Sequence, residues 1–190
     1  MADDVTDNPP SPFIVQWAMR VASSLPPPGR ALDVAMGRGQ HSRALAAIGY
    51  HVFGVDLRMD AVKSATDAAT ATGLIVRGWC ADLTMTALPR VRFELVVASR
   101  YLQRDLFESI REALTPGGVV IYETFTINQR AHGRGPTSPD HLLEQGELRA
   151  RFNGFEILFD EETSSPEALA RLVARRPRSS NPKILNSSNP

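Results

Sequence analysis

The chain is poor in cysteine: Cys80 is the only one in 190 residues. One copy therefore forms no intrachain disulfide and assembles no thiolate metal cluster. It also lacks an excess of either charge, with lysine plus arginine and aspartate plus glutamate each totalling 21. No overall positive field gathers nucleic acid or anionic membrane, so a polyanionic partner is disfavoured. No apolar run approaches the ~20 residues needed to cross a bilayer. The opening Met1-Ala2-Asp3-Asp4 has neither a basic stretch nor an apolar core, unlike a secretory leader. These absences predict a cytoplasmic protein without membrane attachment. Internal repeats are missing too, and no apolar surface pattern names an oligomeric state.

What is present is ordinary globular composition, 43% hydrophobic and 22% charged, in a length that suits one domain with one core. We expect a folded domain over residues 11–177, with flexible ends at 1–10 and 178–190, where proline, aspartate, serine and asparagine leave little to bury. Phe13, Ile14, Trp17, Ala18, Val21 and Leu25 recur at helical steps, and Pro26-Pro27-Pro28-Gly29 stops that helix. Short apolar runs then alternate with helical patterns, the sign of successive βαβ units. Strands are predicted near Arg30 to Val34, Tyr50 to Val55, Leu74 to Trp79, Phe93 to Ala98 and Val119 to Thr124. Helices are predicted near Gln40 to Ile48, Met59 to Thr70, Tyr101 to Leu114 and Ser138 to Arg151. Phe155 to Phe159 and Ala168 to Ala174 are too close for a helical crossover, so they should pair antiparallel. The expected fold is α/β and doubly wound: a Rossmann-like, seven-stranded, mostly parallel sheet closed by a C-terminal antiparallel hairpin, with helices on both faces.

The chemistry-bearing residues sit at strand ends. Asp33 nearly closes the first strand, and Gly37-Arg38-Gly39 leads into a helix. Glycines let backbone approach a ligand, and a helix N-terminus offers unpaired N–H groups to a carboxylate or phosphate. Asp56 ends the second strand, where an acid can bond ribose hydroxyls. Asp82 follows the third and can accept from an adenine amino group, although a solvated turn acid serves as well there. A nicotinamide-dependent oxidoreductase is the rival on this architecture, but its fingerprint needs a third glycine where Ser42 stands.

This order of parts resembles the class I S-adenosylmethionine-dependent methyltransferases, and within them the small enzymes grouped with the tellurite-resistance TehB family. The resemblance covers about residues 11 to 177. It rests on Ser11-Pro12-Phe13, Asp33 to Gly39, Asp56, Ala81-Asp82-Leu83, Arg100-Tyr101-Leu102, and Pro116-Gly117-Gly118 leading into Tyr122-Glu123-Thr124-Phe125. It implies S-adenosyl-L-methionine as cofactor. Asp33, Ala35 and the Gly37-Arg38-Gly39 backbone would face the methionine half, Asp56 and Leu57 the ribose, and Ala81, Asp82 and Leu83 the adenine. The backbone at Ala98 and Ser99 would hold the amino group. Ala35 departs from the family pattern, which has glycine there, so a cofactor-binding protein without catalysis stays open as an alternative.

A small-molecule acceptor would lie at the carboxyl ends of the strands where their order reverses. Arg100, Arg104, Arg130 and Arg134 follow the fourth and fifth strands, which suggests an anionic acceptor held by guanidinium forks. Loop arginines usually lie solvated, and Arg104 can instead pair with Glu108 on its own helix. His132 is the first candidate base because its ordinary pKa suits proton removal near neutrality, with Tyr101, Glu123 and Arg100 as the other catalytic candidates. His41 reads as a helix-start residue.

Overall fold

The computed structural model describes residues 9–24 and 28–178. Leu25, Pro26 and Pro27 of the first helix and its stop lie outside the described residues, as does most of both expected flexible ends. Helix α1 spans Pro12–Ala22, with proline at its start and Ile14, Ala18 and Val21 buried on one face. Trp17 and Phe13 on that helix meet the Phe159 ring at 5.6 and 5.5 Å.

The sheet is built from β1 (Arg30–Val34), β2 (His51–Asp56), β3 (Val76–Cys80), β4 (Phe93–Ser99), β5 (Leu114–Phe125), β6 (Glu156–Glu162) and β7 (Leu169–Arg175). Its order is β3-β2-β1-β4-β5-β7-β6. The first five strands run parallel, and β7 lies antiparallel to both β5 and β6. Seven strands with a closing hairpin match the sequence expectation. The chain winds outward in both directions from β1, so a crevice opens where β1 and β4 part at their carboxyl ends.

Both faces are covered. Helices α1, α2 (Gln40–Ile48) and α3 (Met59–Ala71) bury Ile14, Leu45 and Ala69 against Val52, Leu95 and Val97. On the other face, α4 (Leu106–Ala113) and α5 (Glu147–Arg151) bring Phe107, Ile110 and Leu148 to Val96, Tyr122 and Leu172. Such packing of stiff branched side chains contributes about 1.5–3 kcal/mol per fully buried residue. No helix among the described residues is long and apolar enough to cross a membrane.

Two helices differ from expectation. The helix predicted from Tyr101 starts at Leu106 and ends at Ala113, and Leu114 already belongs to the twelve-residue β5. The helix predicted over Ser138 to Arg151 is instead a 3₁₀ turn at Pro139–His141, an extended stretch and the five-residue α5. Leu142, Leu143, Leu148 and Phe152 are all buried at spacings that imitate a helical face. Gly146 breaks the run by taking a left-handed φ of 72° before α5. Arg104 holds the stretch from outside, donating to the carbonyls of Pro139 at 3.3 Å and Leu142 at 2.9 Å and forming a two-pronged pair with Glu147. The third strand is shifted from its expected place, running from Val76 to Cys80.

Candidate cofactor and acceptor site

The loop leaving β1 is tied down by both neighbouring acids. Asp33 is buried and accepts a 2.6 Å hydrogen bond from Ser42 Oγ on α2. Burial pushes its pKa up to about 7, although the Ser42 bonds work in the opposite direction. Ser42, which stands where a nicotinamide fingerprint has its third glycine, is thus committed to the carboxyl group below the loop. Asp56 at the end of β2 accepts from the Gly37 N–H at 2.9 Å through one oxygen and from the Arg58 N–H at 3.0 Å through the other.

Between those anchors the backbone takes left-handed conformations at Ala35 (φ 54°), Gly37 (φ 52°) and Gly39 (φ 76°). Glycine is required at 39 for space as well: a Cβ there would come within 2.6 Å of the Ala65 Cβ on α3. Ala35 adopts the conformation as an alanine, at a strain of about 1–2 kcal/mol.

Beside this loop lies a cavity of about 500 Å³ at the carboxyl ends of β1, β4 and β5. Asp33, Ala35 and Gly37 form one wall, Ser99 and Arg100 another, and Pro9 to Pro12 close over it. Glu123 reaches it from β5 and is nearly inaccessible to solvent. Its Oε2 accepts from Arg171 Nε at 2.7 Å, and the two residues face each other in the β5–β7 register. Arg100, itself at a left-handed φ of 52°, grips Glu167 with two bonds of 3.2 and 2.6 Å. Its guanidinium also sits 5.1 Å from the centre of the Phe125 ring.

His41 completes the lining. It is 6% exposed, and its Nε2 accepts the Ser11 N–H at 3.0 Å. Burial lowers its pKa to about 4, with the Glu123 charge acting against that shift and the Arg100 charge adding to it.

The outer edge beyond Asp56 belongs to the β3–β4 connection. Ala81 N–H donates to the Asp56 carbonyl at 3.0 Å, which sets Asp82 beside that strand end. Asp82 accepts from the Thr84 N–H and Oγ, and those bonds hold its carboxyl below the usual range. Tyr101 donates to Gln103 Oε1, and Gln103 in turn donates to the Leu83 carbonyl at 2.8 Å. Burial raises the Tyr101 pKa, and the Asp82 and Asp56 carboxylates add to the rise. Tyr101 therefore belongs to the outer edge with the two acids, while Arg100 and Glu123 belong to the cavity.

Residues 31–118 match the family model described as a methyltransferase domain. The chain is 28% identical over 120 residues to the ubiquinone biosynthesis O-methyltransferase of Idiomarina loihiensis, which covers 60% of this chain and 49% of that one. It spans about half or less of the length of the curated relatives it matches. An S-adenosylmethionine dependent methyltransferase from Mesorhizobium loti has a TM-score of 0.66 at 23% identity, over 85% of this chain and 98% of that one. TehB from Haemophilus influenzae has a TM-score of 0.67 at 17% identity, over 85% of this chain and 62% of that one. The fold is a Rossmann-like methyltransferase fold. The family model matches less than half of the chain, and the likeness to these solved structures, TehB included, is one of fold.

Within this methyltransferase fold the remaining sequence candidates lie apart from the cavity. Arg104 is spent on Glu147 and the 139–142 backbone. Arg130 donates to the Thr137 carbonyl at 2.8 Å and Arg134 to the Pro166 carbonyl at 2.9 Å. His132 ends the 3₁₀ helix Ile127–His132. None of these four lines the cavity, so of the arginines expected to converge only Arg100 does. Arg38 and Leu57 are exposed at the loop tips, and Ala98 is buried beneath Ser99.

Three ionisable lining residues were not among the sequence candidates: His41, Glu167 and Arg171. For Arg171 a signal existed, because pairing the predicted hairpin strand against the fifth strand sets it opposite Glu123. For His41 the deciding contact comes from Ser11, thirty residues away.

Proposed function

We propose that the chain transfers the methyl group of S-adenosylmethionine to a small-molecule acceptor. The observation that carries this is the single connected seat formed by Asp56, the Gly37 loop it fixes, and the cavity beside that loop. The donor set suits each part of such a cofactor. Asp56 keeps lone pairs free for ribose hydroxyls, with Leu57 beside it, and Asp82 and the Ala81 to Leu83 backbone flank the adenine position. Asp33, Ala35, the Gly37-Arg38-Gly39 backbone and the Ala98 to Ser99 strand end surround the methionine end.

When bound, the sulfonium supplies an electrophilic methyl group. The chain contributes alignment and exclusion of water: Pro9 to Pro12 roof the cavity, and Glu123 with Arg171 floors its far end. Alignment of two reactants is worth about 7–11 kcal/mol of barrier, against about 3–5 kcal/mol for a general base. Glu123 is the cavity's buried carboxylate on the acceptor side and is the group to receive a proton if the nucleophile carries one.

Both guanidinium groups in the cavity are already matched by carboxylates. An anionic acceptor must compete with Glu167 for the exposed Arg100, a pair worth about 0–1 kcal/mol, or displace buried Glu123 from Arg171, which leaves a buried carboxylate unpaired at a cost of several kcal/mol. A neutral nucleophile displaces neither, and we take it as the acceptor class. Methyl transfer from labelled cofactor to matched neutral and anionic acceptors, thiols against carboxylates and oxyanions, checks this. Turnover should favour the neutral series, and a preference for carboxylates or oxyanions would reverse the assignment.

A further inference from the structure

The β3–β4 connection, from Ala81 to Arg92, forms turns and no helix, whereas α2, α3 and α4 each carry one of the other parallel crossovers. Helices α4 and α5 pack on β4, β5 and β7, so among the described residues the same face of β2 and β3 has no helix over it. Phe53 and Trp79 stand on that face, half-buried. With Phe93 they line a cavity of about 290 Å³, which Arg30, Pro89 and Arg92 complete. Arg30 and Phe93 open β1 and β4, so this cavity lies toward the amino ends of the strands, away from the loop proposed to seat the cofactor.

The cavity is walled by rings and rimmed by cations. Phe53 and Phe93 meet edge to face at 5.9 Å, and the Arg77 guanidinium lies 5.7 Å from the Phe53 ring centre. Arg77 and Arg92 are exposed, and among the described residues neither has a carboxylate partner. Nearby Arg30 and Arg90 are paired with Glu94 and Glu112. In a chain whose charges cancel overall, this face therefore holds a local positive surplus. An apolar hollow alone would accept any oily group, but uncompensated guanidinium groups beside aromatic rings select a partner that is planar and anionic together, which is the chemistry of a nucleobase and its phosphate.

The width of the surface favours a strand over a single nucleotide. β3, β2, β1 and β4 are consecutive in the sheet, so the distance from Arg77 on β3 to Arg92 just before β4 crosses three strand spacings, about 14 Å. Sheet surfaces carrying exposed aromatics stack two or three unpaired bases in this way. We infer that this uncovered face is a second site, which binds single-stranded nucleic acid: one base enters the cavity against Phe53, Trp79 and Phe93, and Arg77 and Arg92 take phosphates to either side. Ring faces and backbone charge make the contacts, so binding is indifferent to base sequence. The site is separate from the proposed cofactor seat and stands or falls apart from the methyl-transfer reading.

Fluorescence anisotropy of labelled decauridylate, titrated with the protein at about 50 and about 200 mM salt, tests the assignment. Binding should weaken steeply at the higher salt. Replacing both arginines, Arg77→Ala with Arg92→Ala, should weaken binding about tenfold and reduce the slope of log affinity against log salt by about 0.7 for each arginine, with the melting temperature unchanged. In Trp17→Phe, where Trp79 is the remaining tryptophan, decauridylate should quench the fluorescence, and uridine monophosphate should need a concentration about tenfold higher or more, because it meets one phosphate contact in place of several. No binding of decauridylate, an affinity and salt slope unaltered in the double variant, or displacement of decauridylate by a polyglutamate peptide overturns the inference. Uridine monophosphate binding as tightly as decauridylate overturns it as well, since the surface would then hold one nucleotide and no strand. Titration with S-adenosylmethionine reports on the cofactor reading separately, whichever way these results fall.

Discussion

Two buried ionisable residues give the cavity wall an unusual acid–base behaviour. Asp33 has its folded pKa raised to about 7 by burial. The native state therefore holds an extra proton between about pH 4 and 7, and the contribution of Asp33 to stability falls as pH rises across that window. His41 has its folded pKa lowered to about 4. Here the unfolded state holds the extra proton between about pH 4 and 6.5, so stability rises with pH. Each effect is worth about 3–4 kcal/mol at most, and between pH about 4 and 6.5 they oppose one another. Asp33→Asn, which keeps an acceptor for Ser42, should therefore expose a stability that climbs with pH where the unsubstituted protein is nearly level. Urea unfolding midpoints across that range check this, and superimposable pH profiles for the two proteins would contradict it. At the same scale the sequence was legible where one residue type has one use, as in Asp56 at a strand end or Gly39 against Ala65. It was opaque where a role depends on a distant partner, as His41 does on Ser11.

Among the elements, the connection from Thr126 to Gly146 is the one whose order is imposed from outside. Buried Gln129 accepts the Ala168 N–H at 2.7 Å and donates to the Arg134 carbonyl at 3.0 Å. Arg104 staples the far half to the start of α4. The Arg104–Glu147 pair is sheltered enough to lower the Glu147 pKa to about 2, its bonds to Arg104 and Arg151 outweighing a burial effect that alone would raise it. Arg104→Ala should lower stability by about 1–3 kcal/mol, since Glu147 and two backbone carbonyls lose a charged donor. Limited proteolysis should then cut first between residues 137 and 147; an unchanged cleavage pattern and melting temperature would show that the staple is dispensable. This stretch was misread from sequence because Leu142, Leu143, Leu148 and Phe152 carry helical spacing, whereas Pro139, Gly146 and an arginine more than thirty residues earlier dictate the backbone. α2, by contrast, starts after Gly39 and stops at Gly49, both in left-handed conformations, and its bounds could be read directly.

For the whole molecule, the alternation of apolar runs and amphipathic helices was enough to give a doubly wound sheet, because the central runs β1, β4 and β5 are buried on both faces and parallel neighbours need a crossover helix to return. The terminal pair could be recognised as antiparallel because the link between its strands is too short for such a helix. The position of the crevice then follows from topology alone, at the point where β1 separates two windings. What topology does not fix is which side chains fill it, and the loop arginines proved to serve the fold while His41 and Arg171 line the cavity. The central claim is that Asp56 and the Gly37 loop it anchors seat the cofactor. Calorimetric titration of S-adenosylmethionine into the protein and into Asp56→Ala measures it most directly. Saturable binding that weakens about tenfold or more in the variant, as expected for loss of a charged hydrogen-bonding partner, is the predicted result; equal affinity in the two proteins, or no heat of binding in either, would contradict it.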